Sequence, residues 1–197
     1  MSQILILISA FALLPTAELY SQSFEFDKGH TFINFSVERF GSARVIGRFN
    51  EFNGTLNFDP AKQQILNSEL SINANSLDTG HDVRDGHLKG NIWLDTQNYK
   101  EIKFSLTSII SRGSSTIAKG NLTIKDITKM IEFPVVIKGP NIDPTKNTTI
   151  GISASLKINR QDFGLSFSKL MDNGALFIGN EVIITVEALA QQTTSRQ

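Results

Sequence analysis

The chain has 197 residues, enough for one domain with a sizeable core or a single barrel and too few for two comfortable domains. Its 19 basic and 19 acidic side chains balance with no Lys/Arg block, which argues against a nucleic-acid binder or a protein held by charge to an anionic membrane. Without cysteine there is no disulfide framework, thiolate metal site or cysteine nucleophile, so stability has to come from the core.

The chain opens with MSQILILISAFALLPTAELYSQS, whose apolar run from Ile4 to Leu14 is shorter than a membrane span needs and gives way to small and polar residues. This reads as a signal peptide over residues 1–23, with Ser21-Gln22-Ser23 as the small-residue cleavage region. Residues 24–197 then form one domain with no later apolar run of spanning length, so the mature protein is expected to be periplasmic or secreted, without an integral membrane span. Export without cysteine is consistent, because disulfides are needed mainly by small domains with too little apolar interior.

From Phe24 onward, alternation with period two recurs between turn signals, which predicts strands. Between His30 and Arg39, Ile33, Phe35 and Val37 share a face with Arg39, which places a guanidinium at the end of an apolar row where it needs a partner or water. Val45, Gly47 and Phe49 begin the next strand, Asn53-Gly54 is a hairpin signal, and Leu56 and Phe58 follow before Asp59-Pro60 turns the chain. Leu70, Ile72 and Ala74 alternate with polar residues, as do Ile102, Phe104 and Leu106. Turns are predicted at Arg112–Ser115 and at Asp126, and Ile131, Phe133, Val135 and Ile137 then share a face. Pro134 cannot donate a ladder bond, so that strand is expected at an edge or with a bulge there. Composition makes Gly139 to Asn147 a loop, after which Ile150, Ile152, Ala154, Leu156 and Ile158 give the cleanest alternation. The closing strand, Glu181 to Ala188, sets Val182, Ile184 and Val186 on one face. About eight strands result, each with one wet and one dry face, which fits an antiparallel barrel or a sandwich on periodicity alone.

Charge, histidine and helix punctuation gather in one place, Ser76 to Leu94 (SLDTGHDVRDGHLKGNIWL). Thr79, three residues before Asp82, resembles a capping box, Asp82 and Asp85 suit the positive end of a short helix, and Gly90 can stop it. Trp93 and Leu94 restore burial beyond the stop, so the segment is expected to act as a lid. His81, Asp82, Asp85 and His87 are the sharpest candidates for a metal or acid/base site, but at helical spacing His87 lies well round from His81, so helix capping outweighs metal binding. There is no serine-nucleophile elbow, phosphate loop or dinucleotide fingerprint, so neither catalysis nor a cofactor is expected. Asn159–Gly164 reads as a charged corner in which Arg160 pairs with Asp162 or with Asp85.

LDTGHDVRDGHLKGNIWLD followed by NYKEIKF resembles the core pattern of the YceI-like family. GHTFINFSV, VIGRFNEFNGTLNFD, KGNLTIKDITKMIEFPV, and INRQDFGL with EVIITVEALA agree with it in order, so the resemblance covers nearly the whole chain after the leader. It implies an all-β fold, a single antiparallel lipocalin-like β-barrel of about eight strands with a short helical lid, and favours the barrel over the sandwich. It also implies binding of a polyisoprenoid or another long-chain lipid. Ile33, Phe35, Val37, Phe49, Phe104, Phe133, Ile152 and Ala154 are the expected apolar lining, and Arg39, Arg84, Asp85, His87, Trp93 and Arg160 the expected head-group or lid residues. The family pattern usually has His where this chain has Arg39. An exposed edge strand would offer the surface for a homodimer.

Overall fold

The computed structural model describes residues 21–193. The leader expected over residues 1–23 therefore lies outside the described residues, except for its last three. In chain order the strands are β1 (Gln22–Phe26), β2 (Phe32–Arg39), β3 (Ala43–Phe49), β4 (Phe52–Asp59), β5 (Gln64–Asn73) and β6 (Leu77–Asp78). The helix α1 (Asp82–Lys89) precedes β7 (Glu101–Arg112), β8 (Ser115–Ile124), β9 (Ile127–Ile142), β10 (Thr148–Asn159) and β11 (Ile178–Gln192). All ladders are antiparallel, and eight strands close a ring in the order β1-β4-β5-β7-β8-β9-β10-β11 and back to β1. The expected barrel is therefore present, with β2, β3 and β6 extending it at one end.

Long strands that change partner along their length set the tilt of the ring. In β9, Ile127 to Pro134 pair with β8, whereas Val135 to Ile142 pair with β10. In β11, Ala190 to Gln192 pair with β1, whereas Ile178 to Glu187 pair with β2, so β1 and β2 act as one strand broken at residues 27–31. Asp27 holds that break, accepting from the Gly29 N–H at 2.7 Å and facing His30 Nδ1 at 2.8 Å.

Three local expectations need correction. Asn53-Gly54 is not a hairpin: both residues lie inside β4, paired to Ser71 and Leu70, and a Cβ on Gly54 would come within 2.7 Å of the Glu69 carbonyl and the Phe26 ring. Pro134 lies at neither an edge nor a bulge; it sits where β9 leaves β8 and joins β10. The bulge falls at Gly139-Pro140, opposite Ile150, inside the stretch expected to be a loop, because β9 continues to Ile142. A bulge absorbs both a residue without a donor and a glycine at φ +102°.

Inward residues form three packed groups. Phe24, Leu56, Phe58, Ile65, Ile150 and Ala190 fill one end, with the Phe24 and Phe58 rings edge to face at 6.2 Å. Ala118, Val135 and Ala154 form a small group on the wall. Ile33, Phe52, Ile72, Leu77, Leu94, Ile102, Leu122 and Phe163 belong to the group at the lid end.

Candidate functional site

Between the filled end and the lid lies a cavity of about 850 Å³. All eight predicted apolar residues, Ile33, Phe35, Val37, Phe49, Phe104, Phe133, Ile152 and Ala154, line it, because strict alternation points one face of each strand inward. Glycines keep the wall thin. Opposite Phe35 in the β2–β3 ladder stands Gly47, and a Cβ there would overlap the Phe35 ring. A Cβ on Gly120 would likewise overlap the Phe104 ring. Each ring thus lies against the wall instead of crossing the cavity.

Polar residues gather at the mouth, beneath the lid and the segment leading into β11. The ionisable residues on the lining are Arg39, His81, Arg84, His87 and Arg160; no carboxylate of the described residues faces it. The lid is α1, bounded as predicted at Gly90, but its N-cap is His81 and not Thr79. His81 Nδ1 accepts from the Arg84 N–H at 3.4 Å. Thr79 serves instead as a latch, its N–H donating to Asp85 Oδ1 at 3.0 Å and its hydroxyl donating to the same carboxylate. Arg84 Nε donates to Thr79 Oγ1 at 2.7 Å and its Nη2 to the Thr79 carbonyl at 2.8 Å. Asp85 is consequently buried in the latch and does not line the cavity, unlike Arg84, His87 and Trp93. That geometry leaves the four-residue His/Asp cluster unassembled.

The expected pairing of Arg160 with Asp162 or Asp85 is also wrong. Arg160 opens a 3-10 turn, Arg160–Phe163, and is buried with its guanidinium turned onto backbone carbonyls. Nε donates to Gly179 O at 2.9 Å, Nη1 to Leu165 O, and Nη2 to Phe167 O at 2.7 Å and to Asn180 Oδ1 at 2.9 Å. Carbonyl oxygens suit a buried guanidinium, since they supply acceptors without a second charge to desolvate. Burial lowers the Arg160 pKa, with no carboxylate to raise it again. The side chain clips the 164–180 segment to the barrel corner and packs its guanidinium 5.4 Å from the Trp93 ring.

That clipped segment carries mouth residues that sequence reasoning missed, Phe167 and Phe177. Phe167 lies 5.3 Å from Trp93, and Phe177 stacks edge to face on Phe40 at 4.6 Å. Residues 164–177 have no regular strand and hence no sustained periodicity to read; the signal was a pair of aromatics in a stretch of mixed polar and apolar residues. Arg39 rests against this cluster, its guanidinium carbon 4.6 Å from the Phe40 centroid and 5.7 Å from that of Phe177.

The family model for the YceI-like domain matches residues 24–190. A protein of Shewanella denitrificans, a UPF0312 protein, is 34% identical over 187 residues, spanning 94% of this chain and 96% of its own length. Among solved structures, BcnA of Burkholderia cenocepacia superposes with a TM-score of 0.71 at 22% identity, covering 83% of this chain and 98% of its own. A polyisoprenoid binding domain from Saccharophagus degradans, implicated in plant cell wall breakdown, does so with a TM-score of 0.66 at 17% identity, covering 87% and 99%. At those identities the two structures speak for the shared barrel. The family model and the Shewanella relative together span nearly all of the chain, and this protein belongs to the YceI-like domain family.

Proposed function

We propose that the protein sequesters or carries a polyisoprenoid or similar long-chain lipophilic molecule in the barrel interior, outside the cytoplasm, and performs no chemistry on it. The observation that carries this reading is the cavity itself: mostly apolar along its walls, filled at one end and with its ionisable side chains at the mouth. Such a shape suits a long tail with a small head. Each methylene buried would contribute roughly 0.8 kcal/mol, so a tail can be held without specific polar contacts. The Saccharophagus degradans domain, a polyisoprenoid binder with the same barrel, supports this class of ligand. The predicted lining and mouth residues would divide the work, with the strands holding the tail and Arg39, Arg84, His87, Trp93 and Arg160 surrounding the head.

Among the described residues no helix is long and apolar enough to cross a membrane. Export rests on the leader, and processing ahead of Gln22 would keep the pairing of Gln22 and Ser23 with Phe58 and Asn57 whole. N-terminal sequencing of the exported form reads this out. The cargo is tested by native mass spectrometry, with organic extraction, of protein purified from its own host's periplasm or medium. A prenyl chain at about one per barrel is expected. A protein that carries nothing and takes up no added isoprenoid overturns the reading. Ala154→Trp, which places an indole at the cavity wall, should abolish uptake while the barrel still unfolds cooperatively.

A further inference from the structure

The mouth holds three arginines, and they are not equivalent. Arg84 is committed to Thr79, and Arg160 to the carbonyls of Leu165, Phe167 and Gly179. The Arg39 guanidinium makes neither an ion pair nor a hydrogen bond with any described residue, and its Nε is the one buried side-chain donor among them that lacks a partner. The phenyl rings of Phe40 and Phe177 fix the guanidinium but accept no conventional hydrogen bond. Glu38, the adjacent carboxylate, is exposed and belongs to the opposite face of β2. A charged donor held at the end of an apolar wall without an acceptor is costly to the folded state unless something else supplies the acceptor. The cavity reaches this side chain, and every other ionisable group on its lining is also basic.

We propose that Arg39 reads the head group of the cargo and that this head group is an oxyanion, a phosphate or a carboxylate. The inference rests on the carrier reading above. Two oxygens of an oxyanion match the adjacent Nε–H and Nη–H of a guanidinium side by side, an arrangement open neither to an alcohol nor to a lysine. Arg84, held to Thr79 through Nε and Nη2, and Arg160, held to backbone carbonyls through all three of its nitrogens, keep the lid and the corner in place around that contact. The tail supplies the bulk of the affinity and Arg39 supplies the selection among heads.

Trp93 is the only tryptophan of the chain and lies on the cavity lining, so its fluorescence reports occupancy directly. The native protein, Arg39→Leu and Arg39→Lys are titrated with geranylgeraniol, geranylgeranyl phosphate and geranylgeranoic acid, which share one tail. Arg39→Leu is expected to weaken the phosphate, the carboxylate or both by about tenfold or more while leaving the alcohol within about twofold. Whichever acid suffers the larger loss identifies the head chemistry. Arg39→Lys keeps the charge without the fork, so its affinity for that acid should fall between the other two proteins; binding equal to native overturns the proposal. Equal losses for all three ligands in Arg39→Leu overturn it too, leaving the carrier reading intact. A native protein that binds none of the three brings down the carrier reading itself.

Discussion

The two ends of this barrel are made from the same alternating strands and behave as opposites. At the filled end Phe24, Leu56, Phe58, Ile150 and Ala190 have 0–1% of their surface exposed, and aromatic edges meet aromatic faces. Toward the mouth, phenylalanines lie flat over glycines and a cavity remains between the walls. Whether an inward phenylalanine packs or lines therefore depends on whether a glycine stands beneath its ring, as Gly47 does directly across the ladder from Phe35 and Gly120 does two residues from Leu122, the partner of Phe104. A glycine lets it fold back onto the backbone. The filled end supplies cohesion, and the mouth gives some of it up for space.

The sharpest way to break this contrast is to remove one ring from each end. Phe58→Ala should cost about 3–5 kcal/mol in denaturant unfolding, because close-packed neighbours cannot collapse into the space. Phe104→Ala, on the cavity wall, should cost clearly less, since one side of that ring already faces open volume. Equal costs would mean that the two ends are packed alike. Gly47→Ala tests the other side of the same idea. Its Cβ would collide with the Phe35 ring and lie 2.8 Å from Thr79 Cγ2, all side-chain atoms, so the ring is the part that gives way. A loss of about 1–3 kcal/mol is expected, together with weaker uptake of long tails than of short ones. Uptake unchanged at every tail length would show that the ring does not swing inward.

The walls were legible in the sequence, and at the mouth most of the residues were legible but not their bonding partners, for a physical reason. A strand writes its inward face into the chain with period two, which is why the eight apolar residues named from the sequence, from Ile33 to Ala154, all lie on the cavity wall. Arg39 was found by the same rule, as the last position of an inward row. The mouth is organised by hydrogen bonds between residues that no periodicity relates, such as Thr79 with Asp85 or Arg160 with the Phe167 carbonyl. Residue type misled there as well. The helix pattern assigned Asp85 to the positive end of α1 for its charge, whereas it serves as an acceptor for the backbone N–H and the hydroxyl of Thr79. Arginine beside aspartate suggested an ion pair, whereas carbonyls fill that place. Pro134 and Asn53-Gly54 misled because closing the ring shifts strand partners along the chain, and local composition carries no record of that shift.

Asp85 separates the two ends by a different measurement. Asp85→Asn keeps the shape of the latch but removes the charge and one acceptor from a buried cluster, a loss of about 1–2 kcal/mol. The loss should be local. Amide exchange is expected to accelerate across residues 79–94, and bound ligand to leave faster, while exchange in β1, β4 and the ladder around Ile150 stays as slow as in the native protein. Uniform acceleration over the whole barrel would show that the lid and the filled end open as one unit.

The smallest effect lies at the break between β1, which belongs to the filled end, and β2, which runs toward the mouth. His30 donates from Nδ1 to Asp27 and, with the Gly29 N–H, holds the Asp27 pKa below the usual carboxylate range, against the opposing effect of burial. A carboxylate whose pKa is lower folded than unfolded stabilises the fold above its unfolded value and loses that contribution as pH falls through the folded one. At neutral pH the contribution is fully present, and it is small, under about 1 kcal/mol, because the imidazole is largely exposed. Asp27→Asn should therefore be slightly less stable than the native protein at pH 7, with the two unfolding curves converging as the pH drops from about 5 to below 3. A gap that persists through that window would assign the role of Asp27 to turn geometry, since asparagine and aspartate differ there in charge more than in shape. Because Leu189 O accepts from the Asp27 N–H at 2.8 Å whatever the side chain, the break itself should survive the substitution, and the filled end should remain closed.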